Sequence, residues 1–118
     1  MDLINGWASC NAYIRADLAS MGVPGTVRTF LLDPVARFTL LMRFCEYLNN
    51  SGKPLFIRAP FLFWFRRLSV RLGFSLGLNI FGPGVAIVHY GLLVIDPTTR
   101  IGKNCRIHMG AHIGGAAF

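Results

Sequence analysis

The sequence predicts an α+β chain in two parts: a helical N-terminal region over residues 1–76, then a coil of parallel strands over residues 77–118. Three observations predict it. Apolar residues return at helical spacing through the first part, as in Val35, Phe38, Leu41, Met42, Cys45 and Leu48. From Phe81 the spacing changes to six, along Phe81 and Ile87, then Ile95, Ile101, Ile107 and Ile113, with two extra residues just after His89. Glycine follows the register residue at Gly82, Gly102 and Gly114. Neither a helix nor an alternating strand counts in sixes. A coil of short parallel strands with three flat sides does, with the large aliphatic pointing inward at each face.

The elements follow in order. "WASCNAYIRADLASMG" reads as a helix closed by Gly22, and "GTVRTFLL" as a short segment after it. "DPVARFTLLMRFCEYLNNSG" is the strongest helix signal. Asp33 is a good N-cap, Pro34 suits the first helical position, and the Asn49–Gly52 run ends it. A further helix is predicted from near Pro60. Phe61, Phe65, Leu68 and Leu72 share its inner face, and Arg66, Arg67 and Arg71 lie on the other. In the coil, Thr99, Cys105 and Ala111 occupy the fourth place of a hexad and are expected in the core, Cys105 as a small buried hydrophobe.

The bulk numbers narrow the class. The chain has 118 residues, enough for one modest domain, and is 53% apolar with a net charge of +7. Its mean hydropathy of +0.50 is high for a lone soluble domain and points to surface covered by subunits or lipid. The most apolar stretch, "PLFIRAPFLFWFRRL", is interrupted by arginines and a proline, so no spanning helix is predicted. Asp2 and the lack of a basic-then-apolar run argue against a signal peptide. Cys10, Cys45 and Cys105 form no metal spacing and cannot all pair, which suits a reducing cytoplasm. No acid lies between Glu46 and Asp96, while Lys53, Arg58, Arg66, Arg67 and Arg71 fall in that gap. No nucleic-acid motif accompanies the charge, so nucleic acid is not an expected partner. A weak association with a membrane surface is kept open.

The run "FGPGVAIVHYGLLVIDPTTRIGKNCRIHMGAHIGG" resembles the hexapeptide-repeat acyltransferases, more narrowly the serine acetyltransferase group and its relatives that acetylate sugars. "YIRADL" and "LLDPVARFTLLMRFCEYL" are similar to the helical region of that family, so the resemblance spans residues 13–118. It implies a left-handed parallel β-helix, here incomplete at about two turns, and a homotrimer or higher homo-oligomer with its active sites in grooves between subunits. It implies transfer of acetyl from acetyl-CoA to a hydroxyl of a small acceptor, either serine or a sugar in polysaccharide biosynthesis. The catalytic base falls on His89. An alcohol is a poor nucleophile near neutral pH, and a neutral imidazole that takes its proton is worth about 10²–10⁴-fold. Asp33, Asp17, Tyr90 and His108 are the implied acceptor-binding residues, and Gly114 and Gly115 the cofactor-binding ones. No metal is expected. His89, His108 and His112 invite a three-histidine zinc site, but His108 lies one residue out of stack with His89.

The chain departs from the family in three places. Val88 stands where the serine enzymes have an aspartate before the histidine, and Phe74 where they have the aspartate that orients its ring. Both losses lean toward the sugar-acetylating relatives. They also require another group, a backbone carbonyl or a partner subunit, to orient His89. Relatives continue the coil past the place where this chain stops, so a C-terminally truncated chain with little activity by itself is expected. The alternative function is non-catalytic: a trimerisation or membrane-surface assembly module.

Overall fold

The computed structural model describes residues 3–113. Four helices come first: α1 (Trp7–Met21), α2 (Val27–Leu32), α3 (Pro34–Asn50) and α4 (Leu55–Leu72). Five short strands follow: β1 (Phe74–Ser75), β2 (Ala86–Ile87), β3 (Leu93–Ile95), β4 (Arg106–Ile107) and β5 (His112–Ile113).

The helix ends obey local chemistry. At the C-terminus of α1, Gly22 takes the left-handed conformation, φ 71°, and its N–H reaches the Ala19 carbonyl. Thr26 caps α2 by accepting from the Thr29 N–H. Asp33 caps α3 as expected, its Oδ1 accepting from the N–H groups of Val35 and Ala36 at 3.1 Å each, with Pro34 in the first turn. The start of α4 differs from expectation. It begins at Leu55, ahead of Pro60, which sits inside the helix. The proline removes one helical N–H, but Phe56 and Pro60 are both exposed residues, and a carbonyl freed on a solvent-facing side costs little.

α3 is the axis of the molecule. Every member of its expected stripe is buried: Val35, Phe38, Leu41, Met42, Cys45 and Leu48. Phe38 stacks on Phe65 of α4, centroids 5.1 Å apart, and meets Phe74 of β1 edge-on at 4.9 Å. The inner face of α4 is Phe65, Leu68 and Leu72, with Phe61 packed at its margin. One continuous hydrophobic core joins these side chains to Ile80, Phe81, Val85, Ile87, Leu93, Ile95 and Ile107. Burying one such aliphatic or aromatic side chain is worth about 1.5–3 kcal/mol.

The second half corrects the sequence expectation. The left-handed parallel β-helix of about two turns is not formed. The described strands gather into two separate small parallel sheets, one of three strands in the order β1-β3-β5 and one of two, β2-β4. Phe74 pairs with Leu93, Val94 with His112, and Ile87 with Ile107; a lone bridge joins Phe81 to Ile101. The strands are only two or three residues long because turn-formers interrupt them. Asn104 and Gly84 both take positive φ, at 58° and 86°. A Cβ on Gly84 would come within 2.3 Å of Asn104 Oδ1, so glycine is required there. The six-residue spacing therefore marks inward positions without building continuous walls. Phe81, Ile87, Ile95 and Ile107 are buried, whereas Ile101 and Ile113 are only partly covered. Cys105 and Ala111 are also partly covered, and Thr99 is half-buried outside the core cluster.

Candidate active site

Two features position the site: a buried charge clamp behind it and a cleft in front. In the clamp, Arg43 of α3 uses all five of its N–H donors. Nε donates to Asp17 Oδ2 at 2.6 Å and Nη2 to Asp17 Oδ1 at 3.1 Å. Nη1 donates to Glu46 Oε1 at 3.0 Å. The two remaining bonds go to the carbonyls of Phe81 and Gly82, at 2.9 and 2.8 Å. The carboxylates are satisfied in turn by backbone donors: Gly84 and Val85 to Asp17 Oδ1, and Asn79 to Glu46 Oε2. All three side chains are sealed from solvent. A guanidinium suits this place because its planar fork serves carboxylates and carbonyls at fixed angles, which an ammonium does not.

Burial pushes the Asp17 and Glu46 carboxyls above the ordinary carboxylate range, against the pull of Arg43 beside them. Burial also works to lower the Arg43 pKa, but its bonds to Asp17 and the charge of Glu46 outweigh it and hold the guanidinium above its ordinary value. Asp17, expected to bind an acceptor, is thus committed to the interior. It ties α1 to α3 and, together with Arg43 and Glu46, fixes residues 79–85, the segment that leads into β2. Sequence reasoning passed over Arg43. A lone charge on an apolar helix reads as a solvent-facing residue, and only the carboxylate on another helix gives it an interior partner.

The cleft lies where α1 ends, α3 begins and β2 runs out. It has a volume of about 240 Å³ and is lined by Asp33, His89, Tyr90 and Arg106, with Met21, Val23 and Val88 among its apolar walls. Three of the sequence-predicted site residues, His89, Asp33 and Tyr90, therefore share one concavity. His108 does not line it; it is an exposed residue just past β4. Gly114 and Gly115 lie outside the described residues. Among the described residues, no group of three or more His, Cys, Asp or Glu side chains is placed to hold a metal ion.

His89 is exposed, two residues beyond β2. Its Nδ1 lies 2.5 Å from the Tyr90 carbonyl oxygen, and its ring rests on the Tyr90 ring, centroids 4.2 Å apart. A carbonyl oxygen only accepts. This bond therefore places the neutral ring's proton on Nδ1 and leaves Nε2 with its lone pair. The next residue, Gly91, is pinned to the end of α4 by its N–H on the Leu72 carbonyl at 2.8 Å. Asp33 spends Oδ1 on the α3 cap, which leaves Oδ2 to a ligand.

Arg106 is the residue sequence reasoning missed at the cleft. It stands on β4 directly beside Ala86 of β2 in the parallel register. Only that pairing brings it to the cleft that His89 also lines, and no local pattern announces it. The site thus offers a proton acceptor, an anion and a cation around a small volume with apolar walls. No family model, no curated protein and no solved structure matches the chain.

Proposed function

We propose that this cleft transfers an acetyl group from acetyl-CoA to a hydroxyl of a small acceptor, with His89 as general base. The observation that supports it is the bond from His89 Nδ1–H to the Tyr90 carbonyl, which leaves Nε2 as the acceptor of a ring that lines the cleft. The acceptor hydroxyl gives its proton to Nε2 as its oxygen forms a bond to the thioester carbon. The tetrahedral intermediate then expels the coenzyme thiolate, which takes the proton back from the imidazolium. The thioester and the hydroxyl are exchanged for an ester and a thiol, with no oxidant or metal required.

The cleft volume suits a small acceptor. Asp33 and Arg106 carry opposite charges at its wall, which fits the ammonium and carboxylate of a hydroxy amino acid such as serine. A sugar would meet these two side chains through hydroxyl hydrogen bonds alone, with neither charge matched, and on that ground we take serine as the acceptor against the lean of Val88 and Phe74. His89 is exposed in the single chain, and a reaction of this kind needs water kept from the thioester. A neighbouring subunit of a homotrimer supplies that cover in this proposal, and the chain by itself turns over slowly.

The test is release of coenzyme thiol from acetyl-CoA by the protein purified from its native source, with serine, threonine and several sugars as acceptors. His89→Ala and His89→Gln are expected to lower kcat by about 10²–10⁴-fold. Turnover by either variant at the unaltered rate overturns the role of His89. Turnover with a sugar but not with serine overturns the acceptor assignment alone.

A further inference from the structure

From the outer face of α4 we infer that the protein docks on a membrane surface rich in anionic lipid, with this helix lying flat in the interface. Phe56, Phe63 and Val70 are seven residues apart, nearly two turns each, and so form one stripe along the helix. They are 78%, 64% and 71% exposed. This stripe lies opposite Phe65, Leu68 and Leu72, which face the core. Arg66 follows Phe63 by three residues and Arg67 by four, so the two guanidinium groups fall on either side of the stripe, with Arg71 beyond Arg67. All three are exposed, and Arg67 lies over the Phe63 ring at 5.7 Å.

A helix of a soluble monomer turns charge outward and keeps large apolar side chains in. α4 does the second on its inner face and then repeats an apolar stripe on the outer one. The repeat extends to α2, which reaches α4 through the edge-on contact of Phe30 with Trp64 and exposes Val27, Leu31 and Leu32 beside Arg28. No acid falls between Glu46 and Asp96, so nothing on α4 opposes an anionic surface. An apolar stripe flanked by arginines matches the layered chemistry of such a surface: acyl chains below, phosphate and carboxylate headgroups at the rim. Among the described residues no helix is long and apolar enough to cross a membrane, so the contact is with one leaflet. This inference does not rest on acyl transfer.

Vesicle flotation tests it, with phosphatidylcholine alone and with about one-third phosphatidylserine. The protein is expected to float with the anionic vesicles at low salt, to be released as salt is raised, and to ignore the neutral ones. The triple variant Arg66→Glu, Arg67→Glu, Arg71→Glu should bind about a hundredfold more weakly or worse. Replacing the same three residues by Lys should leave binding within about threefold. Phe56→Ser with Phe63→Ser should weaken it about tenfold or more, with an unchanged circular dichroism spectrum. His89→Ala should float like the unaltered protein. Negligible flotation, or equal flotation on both vesicles, overturns the inference. So does a sedimentation experiment in which the Phe56→Ser, Phe63→Ser pair dissolves a self-associated species while no variant floats, since the stripe then belongs to a second copy of the chain.

Discussion

Arg43 Nε lies 2.6 Å from Asp17 Oδ2, and neither side chain has any exposure to solvent. Two helices and the segment before β2 converge on that contact. A buried ion pair adds little net stability when compared with a well-packed apolar replacement, because desolvation offsets the attraction. Removing one partner is another matter. Arg43→Met leaves two buried carboxylates and two carbonyls without their donor. It should cost about 3–5 kcal/mol in urea unfolding. Arg43→Lys should recover only part of this, because an ammonium has three donors for five acceptors. A loss under about 1 kcal/mol for Arg43→Met would show that the clamp is dispensable.

The same clamp sets a pH dependence. Burial raises the Glu46 carboxyl, and Asp17 with it, above the ordinary carboxylate range. At a pH just above that range the unfolded chain has released protons that the folded chain still holds. The contribution is therefore complete in acid and is lost as pH rises through the elevated folded values. Unfolding free energy of the unaltered protein should fall from mild acid toward neutrality relative to Glu46→Gln, which has no proton to lose. Denaturant midpoints of the two proteins across that range make the comparison. A difference that stays constant, or grows in favour of the unaltered protein as pH rises, contradicts the direction.

How much of this was legible in the sequence depends on the range of the interactions involved. The α3 stripe and the Asp33 cap are local: one helix turn and two N–H groups decide them, and both stand where the residues put them. The start of α4 was misplaced because Pro60 looked like a first-turn proline, while Pro54 in fact precedes the helix. The six-residue spacing identified inward side chains such as Ile87 and Ile95, yet it did not determine how strands combine. Pairing partners lie far along the chain, and Phe74, counted as the end of the helical half, becomes the edge of the three-stranded sheet. Of the residues that line the cleft, His89, Tyr90 and Asp33 stand out in the sequence as candidates. Arg106 and Arg43 do not stand out, because each owes its role to a neighbour on another element.

The cysteines give a prediction about reactivity. Burial pushes the Cys10 thiol up to about 11 and the Cys45 thiol up to about 12, with Glu46 adding to both. Each sulfur also approaches a carbonyl, Cys10 that of Arg43 and Cys45 that of Phe61. Thiolate is the reactive form, so neither should be alkylated at neutral pH while the protein is folded. Cys105 is only half-buried and should label first. Mass spectrometry after iodoacetamide should find one modified cysteine in the native protein and all three in denaturant. Native labelling of Cys10 as fast as Cys105 would mean that the α1–α3 contact opens readily.

The loop that presents His89 is held by glycine geometry, which separates its positioning from its chemistry. Gly91 has φ 141°, a region ordinary side chains avoid, and a Cβ there would stand 2.9 Å from Met109 Sδ and 3.0 Å from Met109 Cβ. Its N–H is also the pin on the Leu72 carbonyl. Gly91→Ala must therefore shift the chain beside Tyr90, whose carbonyl sets the His89 tautomer. The variant should lose about 1–3 kcal/mol of stability. Its imidazole ¹⁵N shifts should move from one defined tautomer toward a mixture, and the acetyl transfer we propose should fall although His89 itself is intact. Adding Met109→Ala removes the Sδ contact but keeps the Cβ at 3.0 Å and the backbone strain, so it should restore only part of each loss. If Gly91→Ala unfolds at the same midpoint and keeps the single tautomer, the Leu72 pin does not govern the ring, and the Tyr90 carbonyl alone suffices to hold it.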